Sequence, residues 1–269
     1  MGTLMHGSFT MFTKYLHYLL TASNGQGHGI HSPFVYDFIR NVLIDKKHYP
    51  AYNIAEQQRR KLLHNHTFIE IQDFGAGSRI NPNKNRKVAD IAKRSVKPAK
   101  FGKLLYRLAG YYNYKNILEL GTSLGVTTSY IANTAKDTRI LTLEGADTIA
   151  DLAEEYFKSS GFDNIKLIRG NFDHTLSAAI ASMSSIDLAF IDGNHRYEPT
   201  ITYISTILPH LNEFSCLILD DIHWSTEMEK VWEDVKKVPE ATLTIDLFFL
   251  GLVFFRNDFY QKQHFTIRF

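Results

Sequence analysis

Ile117-Leu118-Glu119-Leu120-Gly121-Thr122-Ser123-Leu124-Gly125 is the stretch whose reading decides the fold. Ile117 to Leu120 is short and mostly apolar, as a buried strand is. Two glycines then bracket a turn, and Val126 to Ala135 continues with helical character. Glycine belongs in such a turn for two reasons: the backbone angles are unusual, and a ligand must come close to the main chain. The helix that follows offers unpaired N–H groups at its start. Outward from this point the pattern repeats. Strands are expected at Ile140 to Leu143, Ile165 to Ile168, Ile186 to Ile191 and Phe214 to Leu219. Helices are expected at Asp147 to Ser159, Thr175 to Ser182, through Tyr203, and at Met228 to Val238. Strand-helix alternation at this pitch predicts a parallel sheet covered on both faces.

The end of the chain breaks the rhythm. Ala241 to Phe249 and Leu252 to Arg256 are two β-rich runs separated by little more than Gly251, so they can join only as an antiparallel hairpin. The first hundred residues read as mainly helical, with helices at Phe12 to Leu20, Pro33 to Ile44, Val88 to Arg94 and Phe101 to Ala109. The domain boundary is placed near Lys100. Residues 1–99 form an extension that serves as a lid, a substrate cap or a dimerisation arm, and residues 100–269 form the main domain.

Composition narrows the class. Of the 269 residues, 44% are hydrophobic and 22% charged, ordinary for a globular chain with a substantial core. A net charge of +2 points to no special partner. The single cysteine, Cys216, sits in an apolar run and reads as an inert core thiol, which excludes a disulfide or Cys-rich metal framework. The opening residues lack a clean secretory signal, and no apolar run reaches transmembrane length. The expected setting is cytoplasmic, with no membrane partner.

Three patterns compete for the glycine loop. The dinucleotide fingerprint needs a second glycine where Ser123 stands. A hydrolase elbow, Gly-x-Ser-x-Gly, matches with Ser123 as nucleophile. An acid followed by Gly-x-x-x-Gly, the methyltransferase pattern, is met by Glu119, Gly121 and Gly125. Context favours the third. Glu144 ends the next strand, where a carboxylate can accept both ribose hydroxyls of a nucleoside.

With these residues the chain resembles the class I S-adenosylmethionine-dependent methyltransferases, and within them the metal-dependent catechol and caffeoyl-CoA O-methyltransferase group. The resemblance spans about Lys100 to Arg256. It rests on Glu119 to Gly125, Leu143-Glu144-Gly145, Gly170-Asn171-Phe172-Asp173, Ile191-Asp192-Gly193-Asn194-His195 and Leu219-Asp220-Asp221. It implies a Rossmann-like, mostly parallel seven-stranded sheet ending in an antiparallel hairpin. It also implies that Glu119 and Gly121 lie by the amino-acid end of the cofactor, with Thr122, Ser123 and Gly125 completing the loop. Glu144 would hold the ribose, and Phe172 and Asp173 would meet the adenine. Phe172 reads equally as a core aromatic, and Asp173 as a helix N-cap for the segment from His174.

Asp192 ends the fourth strand, and Asp220 and Asp221 end the fifth. Three carboxylates at one crevice repel unless a cation compensates. An all-oxygen site suits Mg²⁺, with Mn²⁺ or Ca²⁺ as alternatives. The implied reaction is O-methylation of a small hydroxylated acceptor, with His195 standing where the family carries a lysine base. Asp221 stands where the family has an amide. The blander reading is turn chemistry at Asp192 to His195 and helix capping by Asp220 and Asp221.

Other signals are weaker. Asp73-Phe74-Gly75-Ala76-Gly77-Ser78 is read as a loop. His28, His31, His64 and His66 are read as surface or packing histidines. Nine basic residues from Lys84 to Arg107 face one acid, Asp90, and read as a solvated helix face. The sharper reading of that stretch is attraction for an acidic substrate or RNA. The alternatives are therefore a nucleic-acid methyltransferase, a serine hydrolase using Ser123, or a non-catalytic nucleotide-binding protein. A homodimer is the expected assembly if the N-terminal arm pairs.

Overall fold

The computed structural model describes residues 6–23, 25–27, 29–71 and 85–269. The Asp73–Ser78 loop, His28 and Lys84 lie outside the described residues. The chain divides into two compact units, residues 46–184 and residues 1–45 with 185–269.

The unit of residues 46–184 is built on three parallel strands: β3 (Asn116–Leu120), β4 (Arg139–Glu144) and β5 (Ile165–Arg169). β4 lies in the middle, pairing Leu120 with Leu143 on one side and Glu144 with Arg169 on the other. Its helices are α3 (Tyr52–Leu63), α4 (Val88–Ser95), α5 (Ala99–Tyr111), α6 (Val126–Ala132), α7 (Asp147–Ser159) and α8 (Phe172–Ala181). A small antiparallel pair, β1 (Phe68–Glu70) with β2 (Asn85–Lys87), precedes α4. α3 and α5 pack on α6. One cluster therefore joins Tyr52, Ala55 and Val88 of the N-terminal part to Leu124, Val126 and Tyr130 of the glycine loop and its helix.

α6 stops three residues short of the expected end. The side chains of Asn133 and Thr134 bond back to the carbonyls of Ser129 and Ile131, offering the chain an alternative to another helical turn. α8 begins three residues earlier than expected. Asn171 is its cap, with its side chain accepting the Asp173 amide at 3.0 Å. The capping role considered for Asp173 therefore belongs to Asn171, and Asp173 is exposed in the first turn.

The other unit carries β6 (Leu188–Ile191), β7 (Cys216–Asp220), β8 (Leu243–Asp246), β9 (Leu250–Phe254) and β10 (Gln263–Thr266) in the order β10-β8-β9-β7-β6. Its helices are α1 (Ser8–Thr21), α2 (Pro33–Phe38), α9 (Tyr197–Ile207) and α10 (Thr226–Lys237). The expected Pro33–Ile44 helix is present, but after Phe38 it widens into a π turn over Ile39–Leu43. β9 runs antiparallel to both β7 and β8, while β6–β7 and β8–β10 are parallel. All five residues of β7 are buried, the pattern of a strand covered on both faces. The fold is thus α/β with mostly parallel strands and an inserted antiparallel one.

Two details differ from the sequence expectation. Among the described residues, and leaving aside the small β1–β2 pair, three strands in one unit and five in the other make eight rather than the expected seven, because β10 adds a strand at the C-terminus. The hairpin exists, but Gly251 is not its turn. Leu247 to Phe249 make the turn, with Phe248 at φ 69° and its amide donating to Asp246 Oδ1 at 2.7 Å. Gly251 lies inside β9, where a Cβ would come within 2.5 Å of the Trp232 ring. The missing side chain serves packing against α10 rather than a bend.

α1 is fixed to the C-terminus. The Tyr18 hydroxyl donates to the Ile267 carbonyl at 2.5 Å and accepts from the Phe269 amide at 2.9 Å. Ser23 bonds Thr266 and Arg268 through its backbone.

Candidate functional site

In the unit of residues 46–184 the glycine loop leaves β3 through Gly121 at φ 103°. The amides of Gly121 and Thr122 both donate to the Leu143 carbonyl, at 2.9 and 3.1 Å. Ser123 and Gly125 take left-handed angles, φ 48° and 73°. Gly125 satisfies a second constraint too, since a Cβ there would sit 2.6 Å from the Phe157 ring.

Glu119 is fully buried. Its Oε2 accepts from the hydroxyls of Thr128 and Thr142, both at 2.6 Å. Thr142 in turn accepts from Thr122 at 2.7 Å. One carboxylate therefore ties β3, β4, the loop and α6 together. Glu144 does similar work on the loop's outer side. Its two oxygens accept the amides of Ser123 and Ala146, each at 2.9 Å. A carboxylate can accept about four hydrogen bonds, so these two bonds are compatible with a ribose as well. Phe172 and Asp173 open α8 directly after β5, the neighbour of β4, so they lie beside Glu144 along the strand ends. The structure thus gathers Gly121, Thr122, Ser123, Gly125, Glu144, Phe172 and Asp173 along the C-terminal ends of three strands.

The Ser123 hydroxyl donates to the Ser95 hydroxyl at 3.0 Å. Its partner is another alcohol, not a base, which is poor geometry for a nucleophile. Much of the basic stretch is also engaged in packing. Lys87 lies over Phe68, Lys100 over Phe101 and Lys103 over Tyr52, while Arg107 is buried. His31, His64 and His66 are exposed.

In the other unit, Asp192 follows β6 and Asp220 ends β7, neighbouring parallel strands that pair Ile191 with Leu219. Asn194 and His195 take consecutive left-handed angles, φ 68° and 45°. Such angles are uncommon outside glycine and cost about 1–3 kcal/mol each. α9 and its first residues hold the turn: Asn194 donates to the Tyr203 hydroxyl at 3.0 Å and accepts from Arg196 at 2.8 Å. The turn folds His195 back so that its Nε2 lies 3.7 Å from Asp192 Oδ1. Ligand atoms of Asp192, His195 and Asp220 all fall within 4.8 Å of one another. Asp221 is not in this group. Its amide donates to Phe249 at 2.7 Å and its carbonyl accepts from Trp224 at 2.9 Å, so at φ 53° it shapes the bend after β7. Helix capping does not account for these acids. Ser225 caps α10, accepting from Met228 at 3.1 Å.

Comparison with known proteins follows the same residues. Residues 118–222 match the family model described as "Methyltransferase domain". Over these residues the chain is similar to a methyltransferase domain. Solved structures of the same fold include a candidate caffeoyl-CoA O-methyltransferase from Staphylococcus aureus, at 20% identity and TM-score 0.55, covering 62% of this chain and 88% of that one. An SAH-bound methyltransferase of Podospora anserina matches at 17% identity and TM-score 0.56, covering 94% and 98%. An O-methyltransferase from Bacillus cereus in complex with SAH matches at 19% identity and TM-score 0.55, covering 82% and 97%. No curated protein sequence matches the chain. No described helix is long and apolar enough to cross a membrane.

The span matched by the family model ends near a second polar cluster that the sequence reading missed. His223 Nε2 lies 2.8 Å from Asp246 Oδ2, and its Nδ1 lies 3.4 Å from Glu229. Glu229 also pairs with Lys14 and, at 3.2 Å, with His6. Burial alone would lower the His223 pKa, but the bonds to Asp246 and Glu229 outweigh it and raise the value above that of an ordinary histidine. Glu229 is the converse: burial raises it, and Lys14, His6 and His223 pull it below the usual carboxylate value. One signal was available. Leu243-Thr244-Ile245-Asp246 repeats the pattern of Leu141-Thr142-Leu143-Glu144, an acid closing an apolar strand. Cys216 is buried in β7, and burial pushes its thiol pKa up, as expected of an inert core thiol.

Proposed function

We propose that the chain transfers a methyl group from S-adenosylmethionine to an oxygen of a small hydroxylated acceptor, with a divalent cation held by Asp192 and Asp220. The convergence of Asp192, His195 and Asp220 carries this reading. Two ligand atoms, each about 2.1 Å from one ion, lie at most about 4.2 Å apart. The 3.7 Å Asp192–His195 separation meets that limit, and the group's 4.8 Å span needs only small side-chain adjustment. The two carboxylates suit Mg²⁺, Mn²⁺ or Ca²⁺, and an imidazole in the set favours the transition metal, Mn²⁺, among the three.

The cation, when bound, would lower the pKa of an acceptor hydroxyl. The chain's own residues supply the rest. Glu144 accepts the ribose hydroxyls while holding the Ser123 amide, so the loop and the sugar share one anchor. Phe172 packs on the adenine. His195 takes the acceptor's proton at Nε2, the ring nitrogen that lies 3.7 Å from Asp192 Oδ1. Holding donor and acceptor in register accounts for much of the acceleration in such transfers. A second reading comes from the same geometry: His195 is near enough to serve as the third ligand, in place of Asp221.

Acceptor screening with labelled S-adenosylmethionine tests the proposal. Transfer should require a divalent cation, and Asp220→Ala should abolish both transfer and Mn²⁺ binding while S-adenosylmethionine still binds. Transfer that survives chelator and the Asp220 change removes the cation from the mechanism. The Mn²⁺ affinity of His195→Gln separates base from ligand, because only a ligand's loss weakens it.

A further inference from the structure

α1 is apolar on two faces. Its inward face, with Met11, Tyr15, Tyr18 and Leu19, packs on Phe248 and Phe249. Its outward face carries Phe9, Phe12, Leu16 and Leu20, which are 80%, 63%, 46% and 75% exposed. At about 3.6 residues per turn these four fall within about 80° of the helix circumference. Eleven large apolar side chains are exposed among the described residues, and four of them therefore stand on this one face. The other seven are spread over separate elements. A helix that is apolar all round is one that is covered all round. A contiguous exposed patch of this kind marks an interaction surface.

Charge and shape say what covers it. α1 has no acidic residue, and its one lysine, Lys14, is turned to Glu229. Helices that lie on a membrane surface line their polar border with Lys and Arg. Here the border is Thr10, Thr13, His17 and Thr21. The Thr13 and Thr21 hydroxyls donate back to the carbonyls of Thr10 and His17, so neither carries an unpaired donor into an interface. A face without charge can meet a copy of itself without like-charge repulsion. The stripe is also self-complementary. In an antiparallel pair centred near Lys14, Phe9 of one copy meets Leu20 of the other, and Phe12 meets Leu16. Every such contact sets a ring against an aliphatic side chain. A parallel pair would set rings on rings and leucines on leucines, leaving the seam uneven. Two-fold pairing uses the stripe once in each copy and closes at a dimer.

We propose that this face of α1 binds a second copy of the chain, the two helices packing antiparallel to make a homodimer. The area is sufficient. The four side chains present about 500 Å² per copy. A pair therefore buries about 1,000 Å² through these residues alone, the least that a specific interface needs. An interface of this size stands at the weak end of specific ones, so monomer and dimer exchange with concentration.

Sedimentation velocity on the full chain tests this. The mean mass should rise with concentration towards twice the 30.9 kDa of one chain. Phe12→Glu with Leu16→Glu puts like charges into the seam and should weaken dimerisation at least about tenfold. Both positions are exposed, so circular dichroism should show the fold unchanged. Cross-linking reads the direction. The chain's one cysteine, Cys216, is buried, so an introduced thiol is the accessible one. A mixture of Phe9→Cys and Leu20→Cys proteins should form a mixed disulfide. Leu20→Cys alone should not, because its two copies stand about 16 Å apart along the pair. A chain that stays monomeric up to about 100 μM, or a dimer that survives the double change, overturns the proposal. A monomer that floats with phosphatidylcholine vesicles assigns the stripe to a lipid surface and overturns it as well. If the double change disturbs the fold, the cysteine pair still decides: no mixed disulfide from the folded mixture, or a disulfide in Leu20→Cys alone, overturns the antiparallel pairing.

Discussion

Gly125→Ala is the sharpest test of how the glycine loop is built. The residue sits at φ 73°, where an L side chain costs about 1–2 kcal/mol. The new Cβ would also stand 2.6 Å from the Phe157 ring, an overpacking that costs about 1–3 kcal/mol. Together these predict a loss of about 2–5 kcal/mol. Urea unfolding followed by tryptophan fluorescence reads it, because the chain has two tryptophans. With a urea slope near 3 kcal/mol/M, the midpoint should fall by about 1 M. The two terms can be separated. Adding Phe157→Leu removes the clash but not the dihedral strain, so relative to Phe157→Leu alone Gly125→Ala should cost only the first term. A fall below about 0.5 kcal/mol in the single variant, the level of an ordinary surface change, would refute the reasoning. Equal costs in both backgrounds would show that Phe157 is not the obstacle.

Three further outcomes follow. The attachment of α1 through His6, Lys14, His223, Glu229 and Asp246 should be pH-dependent. Glu229, with a lowered pKa, contributes stability above its ordinary 4.5 that is lost as pH falls through the folded value, and His223, with a raised pKa, contributes stability below its ordinary 6.5 that is lost as pH rises through the folded value. Amide exchange in α1 should therefore be slowest between about pH 4.5 and 6.5 after correction for intrinsic rates, and His223→Gln should remove the alkaline limb; a flat profile would contradict the linkage. Gly251→Ala should destabilise the hairpin unit by about 1–3 kcal/mol through the clash with Trp232 and shift that residue's emission, and a silent substitution would return Gly251 to the turn role its sequence suggested. Ser123→Ala should retain most transfer activity, and stoichiometric labelling of Ser123 by a fluorophosphonate would revive the hydrolase reading.

What the sequence revealed of the fold were the regular parts. β3, β4, β5 and α7 fall where apolar periodicity puts them, because buried strands and amphipathic helices repeat at fixed periods. The boundaries that moved are those where a side chain bonds locally: Asn171 starts α8 early, and Asn133 with Thr134 stops α6 early. Gly251 misled because glycine marks both turns and close packing, and only the Trp232 ring across the strand tells them apart. Asp192, His195 and Asp220 were legible as strand-end polar residues. The left-handed bend at Asp221 was not, because it depends on the Phe249 carbonyl in the turn between β8 and β9. Asp246 was legible as an acid closing an apolar strand, but its pairing with His223 was not, the two lying 23 residues apart. β10 was missed because Gln263 to Thr266 has little apolar character, and it pairs only at the sheet's margin.

The most direct test of the central claim is calorimetric titration of S-adenosylmethionine into the folded chain, beside Glu144→Gln. The account predicts saturable one-to-one binding to the unaltered chain. It predicts at least about tenfold weaker binding to Glu144→Gln, because hydrogen bonds from the ribose to a charged acceptor contribute about 1.5–3 kcal/mol each. No heat of binding with either S-adenosylmethionine or SAH, from protein whose circular dichroism shows it folded, would contradict the claim.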